Sequence, residues 1–235
     1  MKKIIISLFL MLLFAGNNAQ AATFTPIADI QYFHTLYPVT NYSIESNNGY
    51  LQVYGGTQYI DYGFMKFDLS SIDFSKEKIA SASLKLFMYS SNGTNTTSLL
   101  AYNDSSWVSP PENKAVYAGL KDISLATPLG SLTSSTFHNM QAPQVFNVNL
   151  NTALLTAGIN ASELLTIVLK DITVLTPEHT YAANEFYSSD MTYQGTSFSP
   201  VLTINTAPVP EPSSMILGLM GLGSMLGFRR KSIMN

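Results

Sequence analysis

Between residues 24 and 207, apolar side chains return at every second position in short runs, and Gly, Pro, Asn and Ser cut those runs apart. A two-residue period sends one face of a run into a core and the other into water, which is the habit of a β-strand. Phe146, Val148 and Leu150 alternate with Asn147 and Asn149, and Leu51 and Val53 flank Gln52. Leu84, Leu86 and Met88 point one way while Lys85 points the other. Leu164 to Leu169 is apolar on both faces apart from Thr166, the pattern of a central strand, and Val201 to Ile204 makes a final one. Turns are expected at Ser46-Asn47-Asn48-Gly49, Gly55-Gly56, Ser91-Asn92-Gly93 and Pro110-Pro111. One short helix is expected at Thr152–Ala157, after the cap Asn151 and before Gly158. Many short strands, no long helix and no internal repeat predict an all-β, antiparallel β-sandwich.

The two ends of the chain follow different rules. Lys2 and Lys3, the apolar stretch Ile4–Ala15 and the small residues Ala19 and Ala21 around Gln20 have the layout of a secretory signal peptide. Signal peptidase is then expected to expose Ala22. At the other end Pro210, Glu211 and Pro212 form an extended break, because proline fixes φ and cannot extend a strand ladder. An apolar run from Met215 to Phe228 follows, closed by Arg229, Arg230 and Lys231. As a helix it spans only ~21 Å against ~30 Å of hydrocarbon, and Ser213 and Ser214 lengthen it by little. Its basic end lies where the positive-inside rule wants it if the domain is exported.

The order Pro-Glu-Pro, Gly-rich apolar helix, Arg-Arg-Lys at the C-terminus resembles the PEP-CTERM sorting signal. The resemblance implies recognition by an exosortase, cleavage near Pro210-Glu211-Pro212 and delivery to the surface or matrix of a Gram-negative bacterium. The expected layout is a signal peptide over 1–21, a β-sandwich domain over 22–207 and a sorting tail over 208–235, with the membrane helix at 213–228. That helix is expected to anchor the chain in the inner membrane until processing.

Within residues 22–209 there are seven Lys, no Arg and fourteen Asp or Glu, a net of −7. Such a domain repels polyanions, and nucleic acid is not an expected partner. The absence of cysteine excludes thiolate chemistry and lipidation at a cysteine.

A second likeness covers residues 28–205. Leu51–Gly56, Gly63–Ile72 and Ser81–Leu86, followed by Asp104-Ser105-Ser106-Trp107 and Phe198–Ile204, resemble the DNRLRE-type domain. The resemblance implies a jelly-roll related to some carbohydrate-binding modules. The basic residue in that family's name and a second Trp after Trp107 are missing here.

Catalysis finds little support in the motifs. His34, His138 and His179 have no zinc spacing, and no nucleophile elbow, phosphate loop or H-E-x-x-H occurs. The expectation is a protein that is not an enzyme. Glu178, Glu185, Asp190, Asp61 and Asp68 are the acids a glycosidase reading would draw on, since that chemistry needs two facing carboxylates. For glycan binding, Tyr54, Tyr59, Tyr62, Tyr102 and Trp107 are the candidate platform, with Asn103 and Asp104 as polar neighbours. The acidic charge favours a neutral exopolysaccharide over an acidic one unless calcium bridges. Calcium is the ion that suits hard oxygen donors, with Asp29, Asp68 and Asp171 as candidate ligands. The leading expectation is a non-catalytic, glycan-binding surface or matrix protein. A purely structural or adhesive protein is the first alternative, and a polysaccharide hydrolase the second.

Overall fold

The computed structural model describes residues 20–35, 42–45, 49–57, 59–103, 123, 126–177 and 180–209. Its strands pair antiparallel, thirteen of them in one curled sheet. The main path runs β1 (Gln20–Phe24), β15 (Val201–Pro208), β6 (Glu77–Ser91), β12 (Tyr181–Tyr187), β4 (Tyr50–Gly56), β5 (Tyr59–Asp68), β11 (Leu164–Asp171), β7 (Thr96–Tyr102) and β8 (Thr127–Thr133). Off this path β2 (Ala28–Thr35) pairs with β5 and carries β3 (Tyr42–Glu45), while β9 (Phe137–His138) and β10 (Gln144–Asn149) pair with β6. A separate hairpin joins β13 (Thr192–Tyr193) to β14 (Thr196–Ser197). Its turn residues Gln194 and Gly195 both have positive φ, 50° and 77°, as the tight primed turns of hairpins require.

One interior strand is the one the sequence singled out. β11 lies between β5 and β7, and its buried run Leu165–Leu169 has no face in water. On one face a row of directly paired residues crosses four strands: Ile30 opposite Phe64, Phe64 opposite Val168, Val168 opposite Leu100. Tyr62 and Tyr102 complete this cluster, with Ile123 and Ala126 packed against it. On the other face Met65, Phe67, Leu165, Ile167, Leu169 and Leu99 are fully buried. Leu51 of β4 and Leu169 of β11 both reach the bare Cα of Gly63, so this face meets the strand after the curl. An all-β sheet folded onto itself in this way fits a β-sandwich.

Two readings of local sequence need correction. β6 is fifteen residues long, whereas alternation marked only Leu84–Met88. Gly55 and Gly56 are not a turn but the last two residues of β4. Glycine is needed there for space: a Cβ on Gly55 would stand 2.1 Å from Asp171 Oδ2, and one on Gly56 would stand 2.4 Å from Tyr54 Cε1. The helix does form, as α1 (Thr152–Gly158), with the Asn151 side chain accepting from the Leu154 N–H.

The link from β6 to β7 is held by buried polar groups. Asn95, fully buried, donates to Asn92 Oδ1 (2.7 Å), the Ala183 carbonyl (3.1 Å) and Ser91 Oγ (3.2 Å). Ser134 reaches Asn184 Oδ1 at 2.9 Å, and Asn184 donates to Thr97 Oγ1 at 2.9 Å. Each amide is matched, so the polar cost of burying it is recovered in bonds that allow only one arrangement of these chains.

By contact the chain divides into two units: one of residues 20–72 and 79–206, and another that includes 73–78 and 207–209. In the smaller, Asp73 pairs with Lys76 at 2.8 Å and accepts from the Ser75 N–H, and these partners draw its exposed carboxyl down to about 2. The Val209 N–H donates to the Lys76 carbonyl at 2.7 Å.

The space argument at Gly55 is testable. Gly55→Ala forces the Asp171 carboxylate out of its bonds to Thr173 (2.6 and 3.2 Å). Urea denaturation should show a loss of ~1–3 kcal/mol, the usual cost of overpacking.

Candidate functional site

β4 and β12 divide their residues cleanly between two faces. Leu51, Val53, Ala182, Asn184 and Phe186 are buried, while Gln52, Tyr54, Ala183 and Glu185 are half-buried on the opposite face. The register sets Tyr50 opposite Tyr187, Gln52 opposite Glu185, Tyr54 opposite Ala183 and Gly56 opposite Tyr181. This outward face therefore carries a line of aromatic groups with an amide and a carboxylate at its middle.

One end of the line is open. Tyr54 and Tyr181 are diagonal neighbours, and their rings stack with centroids 5.5 Å apart and planes 12° from parallel. Gly56 leaves room for the Tyr54 ring to lie across it toward Tyr181. Tyr181 is 47% exposed.

The other end is closed. Tyr50, Tyr89 and Tyr187 contact one another at 4.4, 5.9 and 5.4 Å, and Tyr187 stacks on Phe198 at 5.1 Å. The Tyr187 hydroxyl donates to the Met140 carbonyl. Burial raises the Tyr89 hydroxyl far above its ordinary range, and the Glu185 carboxylate, which accepts its hydrogen bond, raises it further. Burial also raises Tyr62 and Tyr187.

Of the residues named as a glycan platform, those that are described divide between core and surface. Tyr62 and Tyr102 are 8% and 7% exposed and belong to the core cluster on the β5–β11–β7 face. They are a correction: an apolar ring with a polar tip suits a surface platform, but these two rings are covered by core packing. Tyr54 remains at the surface, Asn103 is exposed at the end of β7, and Tyr59 begins β5. Trp107 and Asp104 lie outside the described residues, as does the Tyr59 side chain. Sequence reading missed Tyr181, whose importance depends on which strand pairs with β12.

The three aspartates proposed for calcium are also dispersed. Asp68 and Asp171 stand at opposite ends of the β5–β11 ladder, with Asp68 opposite Leu164 and Asp171 opposite Thr97. Asp68 is exposed, and hydrogen bonds from the Ser70 hydroxyl and then from the Ser70 N–H, at 2.9 Å, lower its pKa. Asp171 is bound to Thr173, and Asp29 accepts from the Ser189 N–H. They do not form one ion site, because the length of β11 separates Asp68 from Asp171. Among the described residues no group of three His, Asp or Glu side chains could hold a metal ion. Of the acids considered for hydrolysis, Asp61 is buried and accepts from Gln31 Nε2 at 3.2 Å, Asp190 is exposed, and Glu178 lies outside the described residues.

The targeting residues fall mostly beyond the description. Ala19, Pro210, Glu211, Pro212, Arg229, Arg230, Lys231 and the expected helix at 213–228 lie outside the described residues. Ala21 sits in β1, opposite Asn205. Among the described residues no helix is long and apolar enough to cross a membrane.

Taken together, the fold is that of an antiparallel all-β domain with a stacked aromatic pair, Tyr181 exposed and Tyr54 half-buried, at one end of a sheet face. Residues 208–231 match the family model of the PEP-CTERM protein-sorting motif. That match supports an exported, exosortase-sorted protein with a cell-surface destination. No curated protein sequence matches the chain.

The raised tyrosines make a pH prediction. The folded chain keeps hydroxyl protons that the unfolded chain releases near pH 10. Stability is therefore full below about pH 10 and falls as pH rises beyond it. Tyr89→Phe should flatten that decline, measured as urea midpoints from about pH 8 to about pH 11.

Proposed function

We propose that this protein is an exported surface or matrix component whose β-sandwich, of the jelly-roll type, binds glycan without acting on it. The open Tyr54–Tyr181 stack carries this reading. A sugar ring presents an apolar face of C–H groups edged by hydroxyls, and a tyrosine pair offers the matching apolar surface with polar tips. Gln52 and Glu185 lie on the same face and supply an amide and a carboxylate for hydroxyl groups. Glu185 already accepts from Tyr89, which suits a fixed hydrogen-bonding group better than a catalytic acid. The net charge of −7 over residues 22–209 favours a neutral exopolysaccharide, with calcium as the bridging ion for an acidic one.

The targeting segments supply the route. Signal peptidase removes residues 1–21, the helix at 213–228 holds the chain in the inner membrane, and an exosortase cuts near Pro210-Glu211-Pro212. A structural or adhesive protein without a small ligand is the rival, and it draws on the exposed apolar residues Ile172 and Val174.

Affinity electrophoresis in gels containing the host's exopolysaccharide, with and without calcium, separates the two. Retardation of the wild type should weaken about tenfold, ~1.4 kcal/mol, on Tyr181→Ala or Tyr54→Ala. Tyr102→Ala, if it folds, should leave the affinity unchanged. No retardation in either gel would favour the structural or adhesive reading.

A further inference from the structure

The outward face of β12 brings more than aromatic rings together. Glu185 stands opposite Gln52 of β4 on one edge and opposite Ser90 of β6 on the other, and Ser90 stands opposite His138 of β9. Directly opposed residues share a sheet face, so amide, carboxylate, hydroxyl and imidazole form one row across these strands. The register moves from Ser90 opposite Glu185 to Met88 opposite Phe186, which leaves Tyr89 over as a bulge. The Tyr89 hydroxyl thereby reaches the Glu185 carboxylate as well.

This row lies beside the tyrosine pair. Tyr181, Ala183 and Glu185 alternate onto the same face of β12. Tyr54, opposite Ala183, stands about 7 Å along the strand from the Gln52–Glu185 pair. The Ala183 side chain is too short to fill that interval. A sugar ring stacked on the tyrosines therefore holds a substituent over Ala183, toward Glu185.

Charge at that point selects the substituent. Glu185 is half-buried, and among the described residues no lysine or histidine pairs with it. Its hydrogen-bonding neighbour Tyr89 is neutral. Such a carboxylate is best matched by a ligand ammonium, which carries three donors and no acceptor. Tyrosine faces attract the same charge. An acetamido group in that place would turn a carbonyl oxygen toward the carboxylate, or offer it a single neutral N–H. At longer range, the net −7 over residues 22–209 draws a cationic polymer more strongly than a neutral one.

We propose that the Tyr54–Tyr181–Glu185 face binds a glycan that carries free amino groups, with a sugar ring on the tyrosines and its ammonium on Glu185. This inference rests on the glycan-binding reading and narrows it from neutral sugars to amino sugars. The flat tyrosine stack favours an amino sugar over a lysine-rich peptide, whose ammonium sits at the end of a flexible stem.

Titration calorimetry of the full chain, held in a detergent without sugar headgroups, compares a glucosamine oligomer with the same oligomer after N-acetylation. The amine form should bind roughly tenfold tighter, the margin of a charged over a neutral hydrogen bond. Glu185→Gln should bring the two forms level, whereas Asp190→Asn, at an exposed acid beyond the Tyr187 end of β12, should keep the difference. Tyr181→Ala should weaken both forms. Should Glu185→Gln lower the urea midpoint, wild-type titrations at rising salt replace it. The amine preference should then shrink as salt screens the charges, and a preference that ignores salt would overturn the inference. Equal affinity, a tighter acetylated form, a preference that survives Glu185→Gln in a folded variant, or a lysine oligomer bound as tightly would each overturn it too. If neither sugar oligomer binds, the amino-sugar inference falls, and the glycan reading is decided separately by the gels containing the host's exopolysaccharide.

Discussion

The architecture depends on the β5–β11 ladder being shut off from water on both faces. Seven paired positions join these strands, from Leu164 opposite Asp68 to Lys170 opposite Tyr62. With Phe64 and Val168 on one side and Met65, Phe67, Ile167 and Leu169 on the other, no water is available to replace a missing backbone bond. The neighbours β2 and β7 are thereby held in register, since a shift of one residue would turn apolar side chains onto the wrong face.

Further along the sheet, where β12 is paired with β4 on one edge and with β6 on the other, apolar packing gives way to polar matching. The β12–β6 register shifts between Glu185 and Phe186. Such an irregularity bends a strand and re-aims its side chains. Beside it lie Asn184, Asn95, Ser91 and Ser134, buried and mutually bonded. The outward face of β12, with Tyr181 and Glu185, inherits its geometry from this corner. The candidate site thus rests on a buried polar network beneath β12.

A sorting tail makes specific demands on such a domain. β15 leads directly into the matched motif, whose first residue, 208, is also the last of the strand. Little flexible chain intervenes between folded sheet and processing signal.

Much of this was legible in the residues alone. Alternation located β4, β10 and β15, the unbroken apolar run of Leu164–Leu169 marked the central strand, and Asn151 with Gly158 bounded the helix. These signals are local: a period, a cap, a breaker. The sorting motif was equally legible, because its three parts stand in order within about two dozen residues. The site was not. Tyr54 and Tyr62 look alike in sequence, yet one stays at the surface and the other is buried beneath packing that includes Ile123 and Ala126. Gly55 and Gly56 read as a turn because local pattern does not reveal that Asp171 and the Tyr54 ring need their space. Sequence determined which residues form strands and which ends direct the chain. Tertiary structure decided which aromatic faces stay open, because exposure depends on what packs from far along the chain.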